Sequence, residues 1–281
     1  EGNECRGIIG HDENGVYSAI AADYTVLATG GIGGIFEHST NYKHLTGDAI
    51  ALALKYGIKL QHIDYIQIHP TTLYTEKEGS REFLISESVR GEGAILLNSK
   101  GERFVDELLP RDVVTQAIRR EMKKEGTKHV WLSLAPIPRE EILSHFPNIY
   151  AKCLEAGYDI TKEPIPVVPA QHYFMGGVQV DYQSKTTMEQ LYAIGETACN
   201  GVHGKNRLAS NSLLESLVFA KRAAHDMIEH MDTVRRSEEI IQRVDTSRYF
   251  DVQKIQEEYA QLVRVEIEKS KKRGEDICTT K

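Results

Sequence analysis

Short alternating runs of hydrophobic and polar residues open the chain. Residues 6–10 (RGIIG) and 16–21 (VYSAIA) flank the turn sequence DENG, an arrangement that predicts a β-hairpin. Residues 23–29 (DYTVLAT) predict a third strand, so the first 27 residues are expected to form a β-meander. The third strand runs into ATGGIGG at positions 28–34, where four of seven residues are glycine. The chain is therefore predicted to begin with β-structure that ends at a glycine-rich turn.

Hydrophobic residues at helical spacing occur farther along. The segment AIALALKYGI predicts a helix that ends near Gly57, and residues 111–124 predict another that begins after Pro110. Further helices are predicted over two short segments within 138–158, over about 211–231, and in the polar chain from residue 233 onward. Extended segments are predicted at 60–75, 165–182 and 191–196. This order predicts an α/β fold in which one domain is interrupted by another and followed by helices.

The composition is that of an ordinary soluble globular protein, with 281 residues, 41% hydrophobic and 27% charged. A formal net charge of −7 argues against nucleic acid or an anionic membrane as the main partner. No hydrophobic run approaches the roughly 18 residues of a membrane-spanning helix. Cys5, Cys153, Cys199 and Cys278 lie far apart and form no C-x-x-C pair. We therefore predict no metal site, no disulfide framework and a cytoplasmic location.

The glycine-rich turn does not match a dinucleotide-binding fingerprint. That fingerprint is G-x-G-x-x-G between a strand and a helix. Counted from Gly31, its third glycine would fall at position 36, which is Phe36. The motif occurs nowhere else in the chain, so this sequence supplies no phosphate-binding loop of that type.

Four clusters combine charged or hydroxyl side chains with glycine or turn residues. They are Gln67 with His69, Pro70 and Thr71; SESVRGEG at 86–93; Pro110-Arg111-Asp112; and HYFMGG (172–177) paired with HGKNRLASNSLLE (203–215). Each alone also fits a structural role: His69 as a hydrogen-bonded core residue, or Arg111 as a solvated side chain beside the first-turn acid Asp112. Together they supply arginine, histidine and hydroxyl groups that suit a small dicarboxylate, because guanidinium groups bind carboxylates bidentately.

The order of the motifs carries a family resemblance. The chain resembles the flavoproteins of the succinate dehydrogenase/fumarate reductase family over about residues 6–230. The resemblance rests on ATGG, TGD at 46–48, QIHPTTLY, SESVRGEG, GERF at 101–104, PRDVV, HYFMGGV, LYAIGETA and HGKNRLASNSLLE, which follow the family's order.

The resemblance implies a partial, Rossmann-like FAD-binding domain that is interrupted by an α+β capping domain. The implied boundaries are 1–66 and 174–231 for the FAD-binding domain, 67–173 for the capping domain, and 232–281 for the start of a C-terminal helical domain. The family's first strand, with G-x-G-x-x-G, has no counterpart in this sequence. We therefore expect a piece of a longer protein that by itself binds FAD weakly or not at all.

The resemblance also assigns residues to the substrate. His69, His172 and Arg207 match the family's carboxylate-binding residues, and Ser86 matches a substrate-binding hydroxyl, although threonine is usual there. Arg111 matches the acid/base at the substrate, while Glu87 and Arg90 match members of a proton relay.

The implied cofactor is FAD. Glu196 matches an acid that hydrogen-bonds a hydroxyl of the flavin chain, and Ser212 and Leu213 match residues beside the flavin ring. Thr29 and Gly30 of the glycine-rich turn, together with Asp48, are also expected to contact the cofactor.

The implied activity is FAD-dependent oxidation of L-aspartate to iminoaspartate, the first step of de novo NAD synthesis. ASNSLLE favours this branch over the succinate dehydrogenases, which usually have GANSLLD. The alternatives are a fumarate reductase or succinate dehydrogenase flavoprotein subunit, and a folded module without catalysis. The expected partner is a small dicarboxylate, and unpaired sheet edges would favour a homodimer.

Overall fold

The computed structural model describes residues 2–76, 81–234 and 243–279. The described residues form two compact units, one drawn from 1–35, 45–66 and 173–281 and the other from 36–44 and 67–172. Helices and sheets both occur, so the predicted α/β class is confirmed.

The elements are numbered in chain order. The strands are β1 (Gly7–His11), β2 (Tyr17–Ala21), β3 (Thr25–Leu27), β4 (Leu60–Gln61), β5 (Ile66–Leu73), β6 (Phe83–Leu84), β7 (Ile95–Leu97), β8 (Val130–Ser133), β9 (Ile165–Phe174), β10 (Gly177–Gln179), β11 (Leu191–Ala193) and β12 (Ala198–Cys199). The helices are α1 (Asp48–Tyr56), α2 (Glu87–Gly91), α3 (Arg111–Glu125), α4 (Arg139–His145), α5 (Pro147–Glu155), α6 (Ser212–Glu229) and α7 (Val252–Thr279).

The first unit begins with the predicted hairpin. Strands β1 and β2 pair antiparallel, with Gly7 opposite Ala21. Asp12 stabilises the turn, because its Oδ1 accepts hydrogen bonds from the backbone N–H groups of Asn14 and Val16. The third predicted strand is shorter than expected and pairs in parallel with β11 rather than with the hairpin. The predicted three-stranded meander is therefore a hairpin followed by a strand of a different sheet.

The first unit contains three α-helices of eight residues or more among the residues that the structure describes. Helix α1 ends where expected, because Gly57 adopts a left-handed conformation and its N–H bonds to the carbonyl of Ala53. Helix α7 packs against α1 and buries Val263 and Ile267. Helix α6 covers most of the segment predicted at 211–231. Residues 235–242 of the predicted polar helix lie outside the described residues.

The second unit is built on one sheet with the strand order β6-β5-β9-β8-β7. Its core includes Leu96, Leu132 and Ile165 from the strands and Val114 and Ile118 from α3, all fully buried. The two short helices predicted within 138–158 are α4 and α5, and α5 begins at Pro147 as expected. The sheet supplies a rigid support for the polar side chains that lie on β5 and β9.

Residues 36–44 group with the second unit, although the implied boundary puts them with residues 1–66. The backbone explains this grouping. The N–H of Thr40 bonds to the carbonyl of Gln171 at 2.9 Å, and Ser39 Oγ bonds to the side-chain oxygen of Gln171 at 2.8 Å. These bonds attach the segment to β9, a pairing that the local sequence does not indicate.

Three features bear on the functional class. Cys5, Cys153 and Cys199 are free thiols. Within residues 2–76, 81–234 and 243–279, no cluster of three histidine, cysteine or acidic side chains is arranged to hold a metal ion. Across the same residues, no helix combines the length and the apolar character needed to cross a bilayer.

Candidate active site and cofactor-binding residues

The two histidines that we predict to bind substrate lie close together in the second unit. His69 on β5 and His172 on β9 have ring centroids 5.4 Å apart. His69 is 1% exposed, and burial, followed by the charges of His172 and Arg111, holds its pKa well below the usual range. His69 is therefore a neutral imidazole. The Nδ1 of His172 lies 2.9 Å from Thr40 Oγ1, which orients the second ring.

Arg111 at the start of α3 is held by two neighbours. Its Nη1 donates to Gln67 Oε1 at 3.1 Å, and its Nε donates to Glu87 Oε2 at 3.0 Å. Its Nη2 donates to the same oxygen of Glu87. The side chain is only 11% exposed, so the interpretation of Arg111 as a solvated residue is wrong. The hydrogen bond from Arg111 lowers the pKa of Glu87, which keeps this carboxylate ionised.

Arg90 extends the same network into the core. It is 2% exposed, and its Nη1 donates to the backbone carbonyl of Glu107 at 2.7 Å. Its Nη2 lies 3.7 Å from Glu87 Oε1, while Arg111 binds the other oxygen of that carboxylate. Desolvation by burial lowers the pKa of Arg90. Two arginines thus contact the two oxygens of one carboxylate, a connection that the spacing of the motifs could not establish.

Ser86 has a structural role that its motif does not indicate. It precedes α2 as the N-cap residue, and its Oγ accepts a hydrogen bond from the backbone N–H of Ser88 at 3.3 Å. Its hydroxyl donates a hydrogen bond to Ser88 Oγ at 3.2 Å. The cap fixes the start of α2, and with it the position of Glu87.

The predicted flavin-side residues of the first unit centre on Glu196. Its carboxylate accepts a hydrogen bond from the backbone N–H of Phe174 at 2.9 Å. Burial raises the pKa of Glu196 to about 7, an effect that Phe174 and Arg207 only partly oppose. A Cβ on Gly31 would lie 2.4 Å from Glu196 Oε1, so the glycine leaves the space that this carboxyl needs.

The hydroxyl of Thr197, the residue after Glu196, bonds to the glycine-rich turn. Thr197 Oγ1 donates to the carbonyl of Gly30 at 3.1 Å, and it lies 3.3 Å from Thr29 Oγ1. Gly30 has a φ of 76°, a conformation that favours glycine. The structure therefore brings Thr29, Gly30 and Glu196 together through Thr197.

The remaining cofactor candidates lie at two helix starts. Ser212 and Leu213 form the first turn of α6, which has no side-chain cap, and Leu213 is 69% exposed. The N–H groups of such a turn carry a partial positive charge and attract electron-rich groups. Asp48 opens α1, accepts a hydrogen bond from Thr46 at 2.7 Å, and lines a cavity of about 600 Å³ beside the hairpin.

Arg207 is a buried cation of the first unit. It is 6% exposed, its Nη1 donates to the carbonyl of Leu208 at 3.2 Å, and its Cζ lies 4.5 Å from the ring centroid of Tyr173. Gly204, Lys205 and Asn206 of HGKNR are exposed, as a polar surface loop predicts, whereas Arg207 is its buried residue. A buried guanidinium is a strong donor toward an anion that reaches it.

Sequence reasoning missed several contributors to these groups. The motif that contains Gln67 indicates no role for it, and Thr197 lies in LYAIGETA without a signal of its own. Glu107, whose carbonyl binds Arg90, belongs to no motif, and nothing in the sequence indicates its position.

The first unit's residues fit the implied FAD. A partly buried carboxyl with a pKa near neutrality suits hydrogen bonding to a hydroxyl, since it acts as donor or acceptor. The space left by Gly31, the paired threonine hydroxyls and the uncapped start of α6 add donors and room on the same unit.

Comparisons with known proteins agree with this chemistry. The family model described as FAD binding domain matches residues 1–213. The L-aspartate oxidase of Clostridium perfringens is 54% identical over 83% of this chain and 53% of that protein. The L-aspartate oxidase of Clostridium acetobutylicum is 52% identical over 85% of this chain and 55% of that protein.

A solved structure shows the same fold. The E. coli quinol fumarate reductase matches with a TM-score of 0.75 and 32% identity over 86% of this chain and 45% of that one. The chain spans about half the length of the curated relatives it matches. By the family model and these relatives, the chain belongs to the FAD binding domain family, among the flavoproteins of the succinate dehydrogenase/fumarate reductase type.

Proposed function

We propose that the whole protein to which this chain belongs oxidises L-aspartate to iminoaspartate, the first step of de novo NAD synthesis. The similarity to two L-aspartate oxidases at more than 50% identity supports the substrate. When bound, FAD supplies the hydride acceptor. The chain's own residues bind and orient the substrate and move its protons.

The single observation that carries the proposal is the Arg111–Glu87–Arg90 network. An acid/base residue must be held in position and connected to a path for the proton. Arg111 is oriented by Glu87 and Gln67, and Glu87 also contacts Arg90 in the core. We therefore assign proton exchange with the substrate to Arg111, and transfer away from it to Glu87 and Arg90.

The substrate's carboxylates are assigned to residues of matching chemistry. His69 is neutral and buried, so its imidazole hydrogen-bonds a carboxylate without a counter-charge in the core. His172, with its ring oriented by Thr40, has the same role. Arg207 supplies a buried cation, and Ser86 a hydroxyl. On the cofactor side, Glu196, Thr29, Gly30, Ser212 and Leu213 are proposed to contact FAD.

The second candidate is succinate oxidation or fumarate reduction. It is favoured by the structural match to a quinol fumarate reductase. Steady-state assays of the whole protein with L-aspartate and with succinate separate the two. We expect turnover of aspartate; turnover of succinate without turnover of aspartate would overturn the proposed function.

The finer cellular assignments are also proposals. The three free thiols Cys5, Cys153 and Cys199 support a reducing compartment such as the cytoplasm. A homodimer is proposed on general grounds, because unpaired strand edges favour pairing with a second chain. Light scattering of the purified protein tests the dimer.

A further inference from the structure

Next to Arg207 in the first unit, three side chains contact one another in series: Tyr173, His203 and Glu215. The guanidinium of Arg207 lies 4.5 Å from the ring centroid of Tyr173, within the range of a cation–π interaction. The Tyr173 ring in turn meets His203 edge to face, with centroids 5.6 Å apart and planes at 86°. None of these supporting residues is assigned a role by the proposed function.

The series of contacts ends at a buried acid. His203 Nε2 lies 3.8 Å from Glu215 Oε2, and Glu215 is 6% exposed. Asn200 donates a hydrogen bond to the other oxygen of Glu215. Burial, and then the charge of Arg207, lowers the pKa of His203, so the imidazole stays neutral beside the guanidinium. The Glu215 carboxyl is therefore anchored by Asn200, and the His203 ring packs between this carboxyl and the Tyr173 ring.

A buried cation that must bind a carboxylate needs a defined position when the substrate is absent. Long arginine side chains have many rotamers, and fixing them during binding costs affinity. The face of an aromatic ring holds a guanidinium in place, and the N–H groups of the guanidinium donate hydrogen bonds in its own plane.

We propose that Tyr173 is a positioning residue that holds Arg207 for carboxylate binding, and that His203 and Glu215 fix the Tyr173 ring. This inference rests on the proposed role of Arg207 in binding a dicarboxylate. It makes Tyr173, His203 and Glu215 determinants of substrate affinity rather than of the chemical step.

The test compares Tyr173→Leu with Tyr173→Phe in the flavin-loaded whole protein. The Leu variant removes the aromatic face, whereas Phe keeps it. For Tyr173→Leu we expect roughly a tenfold rise in the KM for aspartate and in the calorimetric Kd for succinate, with a much smaller change in kcat. For Tyr173→Phe we expect values within about twofold of wild type. Tyr182→Leu is the matched control, because it removes a similar contact, with Arg222 at 3.7 Å, and should change neither constant.

A double-mutant cycle separates positioning of Arg207 from general damage. In an Arg207→Leu background, Tyr173→Leu should raise the Kd for succinate no further. An equal rise in both backgrounds, or equal effects of the Leu and Phe variants, would overturn the inference. If Tyr173→Leu does not fold, His203→Leu serves instead, with a smaller rise in the same Kd that also vanishes in the Arg207→Leu background.

The succinate Kd also keeps this test distinct from that of the proposed function. If the whole protein turns over succinate and not aspartate, the proposed function fails while the Tyr173–Arg207 coupling is still measured. If aspartate turns over normally and the coupling is absent, only the positioning inference fails.

Discussion

The carboxyl of Glu196, which we propose contacts FAD, also carries a cost in stability that depends on pH. Its pKa is raised from 4.5 to about 7, mainly by desolvation. Between these values the folded chain holds a proton that the unfolded chain releases. The free energy of unfolding should therefore fall as the pH rises from about 4.5 to 7, because deprotonation favours the unfolded state there.

Glu196→Gln in the purified chain should remove this pH dependence. The variant cannot lose a proton, so its melting temperature should fall less than that of wild type between about pH 5 and pH 8. Calorimetry at several pH values measures both slopes. Glu13→Gln is the matched control, since Glu13 is exposed in the hairpin turn. Equal slopes for wild type and Glu196→Gln would contradict the burial argument.

Arg111 gives a second prediction at this scale. Arg111→Leu removes the proposed acid/base and the partner of Glu87, so kcat of the whole protein should fall by a factor of about 10² or more. Arg119→Leu on the same helix changes an exposed arginine and should leave kcat unchanged. Near-wild-type turnover of Arg111→Leu would remove Arg111 from the acid/base role, and stopped-flow flavin reduction would show which step is affected.

At the scale of elements, the MGG sequence between β9 and β10 is constrained by close backbone contact. A Cβ on Gly176 would lie 2.0 Å from the carbonyl oxygen of His62, a backbone atom that cannot move alone. Gly176→Ala should therefore lower the free energy of unfolding by about 2 kcal/mol or more. Gly10→Ala on β1 has open space and should cost little. Urea denaturation compares the two, and equal midpoints would show that the turn relaxes freely.

Elements with strong local signals were predictable from the sequence. A local hydrogen bond or a fixed φ angle sets the element boundary at four places: the DENG turn, the glycine after α1, Pro110 before α3 and Pro147 at the start of α5. Pairings over long sequence distances carry no such signal. The parallel pairing of β3 with β11 joins residues more than 160 positions apart, and the bonds from Ser39 and Thr40 to Gln171 join a loop to a distant strand.

In the candidate site, too, local features were predictable from the sequence and long-range contacts were not. The motifs identified the residue types, and the family resemblance supplied their roles. Whether Arg90, Glu87 and Arg111 meet depends on the tertiary arrangement of α2, α3 and β5, which no spacing encodes. Glu107 was unpredictable because it acts through its backbone carbonyl, a group that every residue has.

For the whole molecule, the distribution of chemistry over the two units matters most. The second unit carries the proposed acid/base residues and two histidines, and the first carries Arg207 and the residues proposed to contact the flavin. The chain matches about half of each curated relative and contains no G-x-G-x-x-G motif. In dinucleotide-binding folds that motif forms the main binding site for the pyrophosphate.

This absence leads to a prediction about the chain by itself. Its flavin-side residues, Glu196, Thr29 and the start of α6, suit the flavin half of FAD, and the sequence offers no comparable loop for the ADP half. We therefore expect the purified chain to be colourless, and to bind FAD and FMN weakly and with similar affinity, because the ADP half gains no contacts. Fluorescence titration of both flavins measures this, and Glu196→Gln is expected to weaken the two equally. Stoichiometric yellow FAD, or FAD affinity well above that of FMN, would mean that other residues of this chain bind the ADP half.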